Sequence, residues 1–188
     1  MREFPQNLTV APYRLHPIAP TPENARMIFD IFAADAHAFR FWMPDGVYAS
    51  PSDVLAVYDR SAARHDMCLY GIWCGDELLG EIGYANGTSV LRRRGVLGYW
   101  LKKSARGRGI IAAVMPEILR VGFVDMDFDR VFVQCACENM AVRANTEKMG
   151  FHLDGILRHE IVWPDGTFSD ECNYSILKSE WVKENKNA

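Results

Sequence analysis

The chain has 188 residues, enough for one domain with a substantial core. Its 49% apolar and 24% charged residues are ordinary for a globular protein, and a formal net charge of -3 argues against an electrostatic grip on nucleic acid. No apolar stretch approaches the length of a membrane span, and Pro5, Gln6 and Asn7 stand where a signal peptide needs an apolar run, so the expected location is the cytoplasm, without a membrane partner.

Leu8 to Ile18 alternates enough to read as an opening strand, stopped by Pro17 and Pro20. Thr21-Pro22-Glu23 starts a helix, with Thr21 as N-cap and Pro22 in the first turn, and Ala25, Ile28, Phe29 and Phe32 then fall on one face. Phe39 to Ser50 is aromatic and carries proline and glycine, which predicts a loop or a broken helix. Ser50-Pro51-Ser52-Asp53 opens a second helix with Val54, Val57, Tyr58 and Ala62 inward. Met67 to Trp73 and Leu78 to Tyr84 predict strands joined by a hairpin turn at Cys74-Gly75-Asp76-Glu77. Glu81 interrupts an apolar run in the second of these, so it must face solvent or a cavity, because an unpaired buried charge is very costly. Arg92-Arg93-Arg94, the only basic run, reads as a solvated loop between strands.

Leu97-Gly98-Tyr99-Trp100-Leu101 is a short apolar strand that passes through Lys102 to Ala105 into Arg106-Gly107-Arg108-Gly109. Ile111, Val114, Met115, Ile118 and Leu119 then mark one face of a helix. A glycine-bearing turn at a helix N-terminus aims unpaired N–H groups and the positive end of the helix dipole at one point, which suits phosphate. Plain capping would produce the same pattern. Val131 to Cys137 predicts a further strand, followed by Asn139, a helix near 140–149, and two strands near 152–163 and 167–178 joined at Trp163-Pro164-Asp165-Gly166. The five cysteines, Cys68, Cys74, Cys135, Cys137 and Cys172, lack the paired spacing of a zinc site, so reduced thiols and no metal are expected. There is no repeat or linker, and residues 1–188 read as a single mixed α/β (α+β) domain.

The order strand, R-x-x-G turn, helix, strand, asparagine, short helix and Met149-Gly150-Phe151 resembles the GNAT superfamily of acyl-CoA-dependent N-acyltransferases. The resemblance is closer to the RimJ/RimL-like branch, the ribosomal-protein N-acetyltransferases and their small-substrate relatives. Phe41-Trp42-Met43-Pro44, Leu79-Gly80-Glu81-Ile82-Gly83-Tyr84, Leu153-Asp154-Gly155 and Asp165-Gly166 with Asp170 also fit that branch. It implies a central, mostly antiparallel twisted sheet of about seven strands flanked by about four helices, with a splayed strand pair at the acyl-CoA site. It implies direct transfer of an acetyl group from acetyl-CoA to a primary amine, on a small molecule or a peptide or protein N-terminus, and it allows a homodimer.

Carried onto this chain, the resemblance places the pyrophosphate on backbone N–H groups of Gly107, Arg108, Gly109, Ile110 and Ile111, beside Arg106. It lays the pantetheine arm along Tyr99, Trp100, Leu101 and Lys102, as an added strand would lie. A bulge in that strand would open the gap, and a backbone N–H near Leu101 would polarise the thioester carbonyl, a contribution of roughly 2.7–4 kcal/mol. Asn139 would hold the pantetheine amide or cap the following helix. The branch's serine three residues after the asparagine is Val142 here, and the wider superfamily's tyrosine seven residues after it is Thr146, the remaining hydroxyl for protonating sulfur. Glu81 is the expected general base, with Glu160 and Asp170 beside the acceptor, and Phe41, Trp42 and Met43 line the acceptor pocket. The loss of the serine leaves a second reading open, a non-catalytic acyl-CoA-binding or protein-interaction module of the same fold.

Overall fold

The computed structural model describes residues 2–40, 48–85 and 87–186. The expected opening strand is two, β1 (Leu8–Val10) and β2 (Tyr13–Pro17), folded back on each other around Ala11 and Pro12. In α1 (Pro22–Ala33) the Thr21 hydroxyl accepts the Asn24 N–H at 3.2 Å, so the cap read from sequence forms. A single turn, α2 (Ala36–Phe39), follows; Phe41, Trp42 and Met43 lie outside the described residues. The second expected helix is α3 (Pro51–Ala62), capped by Ser50. β3 (Cys68–Cys74), β4 (Glu77–Tyr84), β5 (Arg94–Leu101), α4 (Ile110–Arg120), β6 (Arg130–Ala136), α5 (Met140–Lys148), β7 (His152–Val162), β8 (Phe168–Leu177) and α6 (Lys178–Lys186) complete the chain.

Among the described residues the strands form one sheet in the order β1-β2-β3-β4-β5-β6-β8-β7, eight rather than about seven, and six helices stand where about four were expected. The surplus helices are the α2 turn and α6. α6 has no amphipathic period to announce it and is tied to the body through Trp181, whose ring lies 5.4 Å from Phe123. Every neighbouring pair is antiparallel except β5 and β6. That parallel pair holds at only three positions, Arg94↔Arg130 to Val96↔Phe132, and then parts.

Two apolar clusters cover the sheet. The larger packs α4 against Tyr70, Ile72, Ile82, Tyr84, Val131, Val133 and Cys172; the smaller packs α1 to α3 against Ile18, Leu78 and Trp100. α4 ends in a π-helical turn, Val121–Asp125. Its cause is Tyr84, whose buried hydroxyl donates to Ile118 O at 2.8 Å and takes the Gly122 N–H. The phenol is thus inserted into the bond that an α-helix would make between those two backbone groups. Among the described residues no helix is long and apolar enough to cross a membrane.

Candidate active site

Where β5 and β6 part, a cleft of about 450 Å³ opens, lined by Leu97 to Leu101 on one side and Val133 to Cys135 on the other. β5 stays paired to β4 without a shift from Tyr84↔Leu97 to Gly80↔Leu101, so no bulge opens the gap there; β6 simply leaves. The direction of the β5 backbone groups follows from two bonds. Ala85 N–H donates to Val96 O and Lys102 N–H to Leu79 O, so alternate residues 96, 98, 100 and 102 face β4. The Leu97 N–H is engaged by β6 at the last parallel pair, and the N–H and C=O of Tyr99 and Leu101 face the cleft. A chain carrying amides could pair with them as a strand does.

One end of the cleft is the turn into α4. Gly107 and Gly109 have φ of +71° and +73°, and a Cβ on either would meet nothing within 4 Å, so the space above both is open. The first helical bond runs from Ala113 N–H to Gly109 O, which leaves the earlier N–H groups of α4, from Gly109 on, aimed outward. Ile110 and Ile111 are buried anchors of this turn, and Ile111 also lines the cleft. Arg106 lines the cleft beside this turn. Its guanidinium donates to Asp35 Oδ2 at 2.6 Å and to Leu101 O at 3.0 Å and lies over the Phe39 ring, so it fastens α2 to the turn. Arg108 is exposed, and Lys102 outside the cleft is engaged by Glu77.

The opposite wall comes from β6 and α5. Asn139 lines the cleft while its Oδ1 accepts the Val142 N–H at 3.3 Å, so it caps α5 from within the site. Val142 and Asn145 follow at helical spacing on the same wall. Thr146 points inward and is fully buried. Its Oγ1 and the Tyr99 hydroxyl are buried near each other, and neither makes a hydrogen bond of good geometry among the described residues. Burial raises the Tyr99 pKa, and the nearby Thr146 and Asn145 side chains draw it partly back. Tyr99 lines the cleft; Thr146 does not. His37, Gln134, Cys135 and Asn145 also line it and were not singled out from sequence. The only signals were strand alternation for Gln134 and the three-residue step from Val142 to Asn145.

Glu81 is 1% exposed. Its carboxylate accepts from the Tyr58 hydroxyl at 2.6 Å and from Trp100 Nε1 at 3.2 Å. Burial pushes its pKa up to about 7, against the pull of those two donors. It sits in the wall of a second cavity, of about 940 Å³ beneath α3, and meets the cleft only through Trp100, which lines the cleft and packs edge-on against Phe32 and Phe39. Glu160 is exposed on β7. Asp170 Oδ1 accepts the N–H of His159, whose φ is +55°, where β7 bulges between Leu157 and Ile161. Neither lines the cleft.

A parallel pair that splays beside a glycine turn and a helix N-terminus defines an acyl-CoA-binding transferase fold. The family described as the acetyltransferase (GNAT) domain matches residues 14–152, and the chain belongs to it. It is an acetyl-CoA-dependent N-acetyltransferase that moves an acetyl group to an amine. YdaF of Bacillus subtilis (strain 168), named for a ribosomal N-acetyltransferase, is 32% identical over 168 residues, 87% of this chain and 91% of the relative. The structure of the Salmonella typhimurium acetyltransferase that modifies the N-terminal serine of ribosomal protein L7/L12 superposes with a TM-score of 0.78 at 19% identity, covering 91% of this chain and 98% of that one. The self-immunity acetyltransferase MccE for microcin C7, solved with acetyl-CoA and AMP, gives 0.78 at 19% identity, over 92% and 97% of the two chains. These relatives place the chain in the RimJ/RimL-like branch.

Proposed function

We propose that the protein acetylates the N-terminal α-amine of a peptide or protein, with acetyl-CoA laid in the β5–β6 cleft. The observation that carries this reading is the splayed pair, whose outward N–H and C=O groups on Tyr99 and Leu101 lead straight into the open glycine turn of α4. The N–H groups of Gly109, Ile110 and Ile111, with Gly107 and Arg108 before them, hold the pyrophosphate at the positive end of the helix. The Leu101 N–H donates to the thioester oxygen as charge develops there. Gln134, His37 and Phe39 also line the cleft and receive the acceptor.

An α-amine with a pKa of about 7.7–8.0 is partly neutral at physiological pH and attacks without a strong base. Glu81 stands behind Trp100, whose indole N–H only donates, so it holds that wall of the cleft in place while the amine's proton leaves to water at the open cleft. Val142 supplies no acid, and a thiol of ordinary pKa about 8.5 departs as the thiolate. Catalysis then rests on proximity and backbone polarisation.

Thiol release from acetyl-CoA with a panel of peptides and small amines, read with mass spectrometry of the products, tests the reading. Acetyl on peptide α-amines is the expected result. Acetyl-CoA binding without any productive amine would instead support the non-catalytic module. Gly109→Asp puts a negative charge where the phosphates would lie, at a φ of +73° that Asp tolerates. It is expected to weaken CoA binding at least about tenfold by calorimetry, the equivalent of about 1.4 kcal/mol. Unchanged affinity in the folded variant would move the phosphates elsewhere.

A further inference from the structure

We propose that a pocket between the β7–β8 hairpin and the β6–α5 turn is a subsite for a lysine or arginine side chain on the residue following the acetylated one. The inference rests on the peptide-acceptor reading above and adds a specificity to it. The pocket encloses about 440 Å³ and is lined by Arg40, Glu138, Trp163, Asp165, Phe168 and Ser169 among others. It adjoins the cleft on two sides, because Glu138 precedes Asn139 and Arg40 follows Phe39, and Asn139 and Phe39 both line the cleft. Consecutive Cα atoms are about 3.8 Å apart, so one acceptor can place its amine in the cleft and its next side chain in the pocket.

The chemistry of the pocket favours a cation on a long apolar stem. Ser169 is 4% exposed, accepts from Trp163 Nε1 at 2.6 Å and donates to Glu138 Oε1, which fixes the carboxylate's orientation. Among the described residues, Glu138 Oε2 takes no hydrogen bond or ion pair. Asp165 is committed differently: its Oδ1 accepts from the Thr167 hydroxyl at 2.6 Å and N–H at 2.9 Å, and the Arg40 charge acts on it. The charged side chains lining the pocket, Arg40, Glu138 and Asp165, carry two negative charges against one positive. Trp163 and the half-exposed Phe168, stacked on His159 at 5.0 Å, supply flat walls for methylene groups and a cation. Glu138 is exposed, so in the free protein water meets its carboxylate; an acidic side chain docked there would repel it, and an apolar one would displace that water without replacing its bonds.

The test uses peptide amides identical except at the second residue, which is lysine, norleucine or glutamate, with acetyl transfer measured at saturating acetyl-CoA. The expected result is a kcat/KM for lysine at least about tenfold above norleucine, carried mainly by KM, with glutamate poorest. In Glu138→Gln the lysine-to-norleucine ratio is expected to fall to near one, a readout that a general loss of activity does not move. Equal rates for lysine and norleucine in the wild type, or a ratio that survives in Glu138→Gln, would overturn the subsite while leaving peptide acetylation standing. A diamine preferred over every peptide would overturn the assignment to a peptide side chain. Absence of any peptide acetylation would overturn both readings together.

Discussion

In Glu81 the folded chain holds a proton that the unfolded chain releases. Burial lifts the carboxyl from 4.5 to about 7. Between those values the unfolded state has lost the proton and the native state has kept it, so this residue's contribution to stability falls as pH rises through the window, by at most about 1.4 kcal/mol per pH unit. Glu81→Gln is expected to flatten that part of the pH–stability curve in urea titrations; an unchanged slope would assign it to another group. Thr146 gives the opposite kind of expectation. Its hydroxyl is buried without a hydrogen bond of good geometry among the described residues, so Thr146→Val should leave stability unchanged or raise it by up to about 1 kcal/mol. Turnover should also hold, whereas a tenfold loss of kcat at constant KM would make Thr146 the acid for sulfur. Sequence reasoning allowed Glu81 solvent or a cavity, because a charge within an apolar run has few alternatives. It had no means of telling that Tyr58 and Trp100, from a helix and a neighbouring strand, would hold the carboxylate behind the cleft rather than in it. Nor does local sequence announce the ion pair of Arg106, since its partner Asp35 is 71 residues away.

The turn that ends α4 shows two elements shaping each other. A Cβ on Gly122 would stand 2.0 Å from the Tyr84 hydroxyl and 2.8 Å from its ring carbon Cζ. Tyr84 is fully buried and has no room to withdraw. Gly122→Ala is therefore expected to cost about 1–3 kcal/mol by overpacking, and Tyr84→Phe about 1–2 kcal/mol by loss of the inserted hydroxyl. Because the hydroxyl is the atom the new methyl would strike, the double variant should be less destabilised than the two losses added, which equilibrium unfolding of all four proteins would show. Simple addition would mean that the ring, not the hydroxyl, sets the clash. Helix caps at Thr21 and Ser50 and the strand–turn–helix at Arg106 were legible because each is local chemistry. The division of the first strand, the π-helical turn and α6 were not, since each depends on a tertiary partner that no local period announces.

Only three residue pairs join β1–β5 to β6–β8 within the sheet, and the resemblance to the family, not composition or spacing, supplied that split. A ligand that fills the cleft ties both halves. CoA at about a hundred times its Kd should add about 2.7 kcal/mol to unfolding, and amide exchange should slow at Tyr99 and Leu101 more than on β2 or β3. Uniform slowing across the sheet would argue that the ligand does not lie along β5. The parted strands also have a colloidal consequence. Without a ligand the cleft displays strand-edge groups of Tyr99 and Leu101 on one side and of Gln134 on the other, the kind of template on which another copy can assemble. CoA is then a plug as well as a reactant: solutions stripped of it should grow turbid on storage, and a non-transferable acyl-CoA analogue should keep them clear.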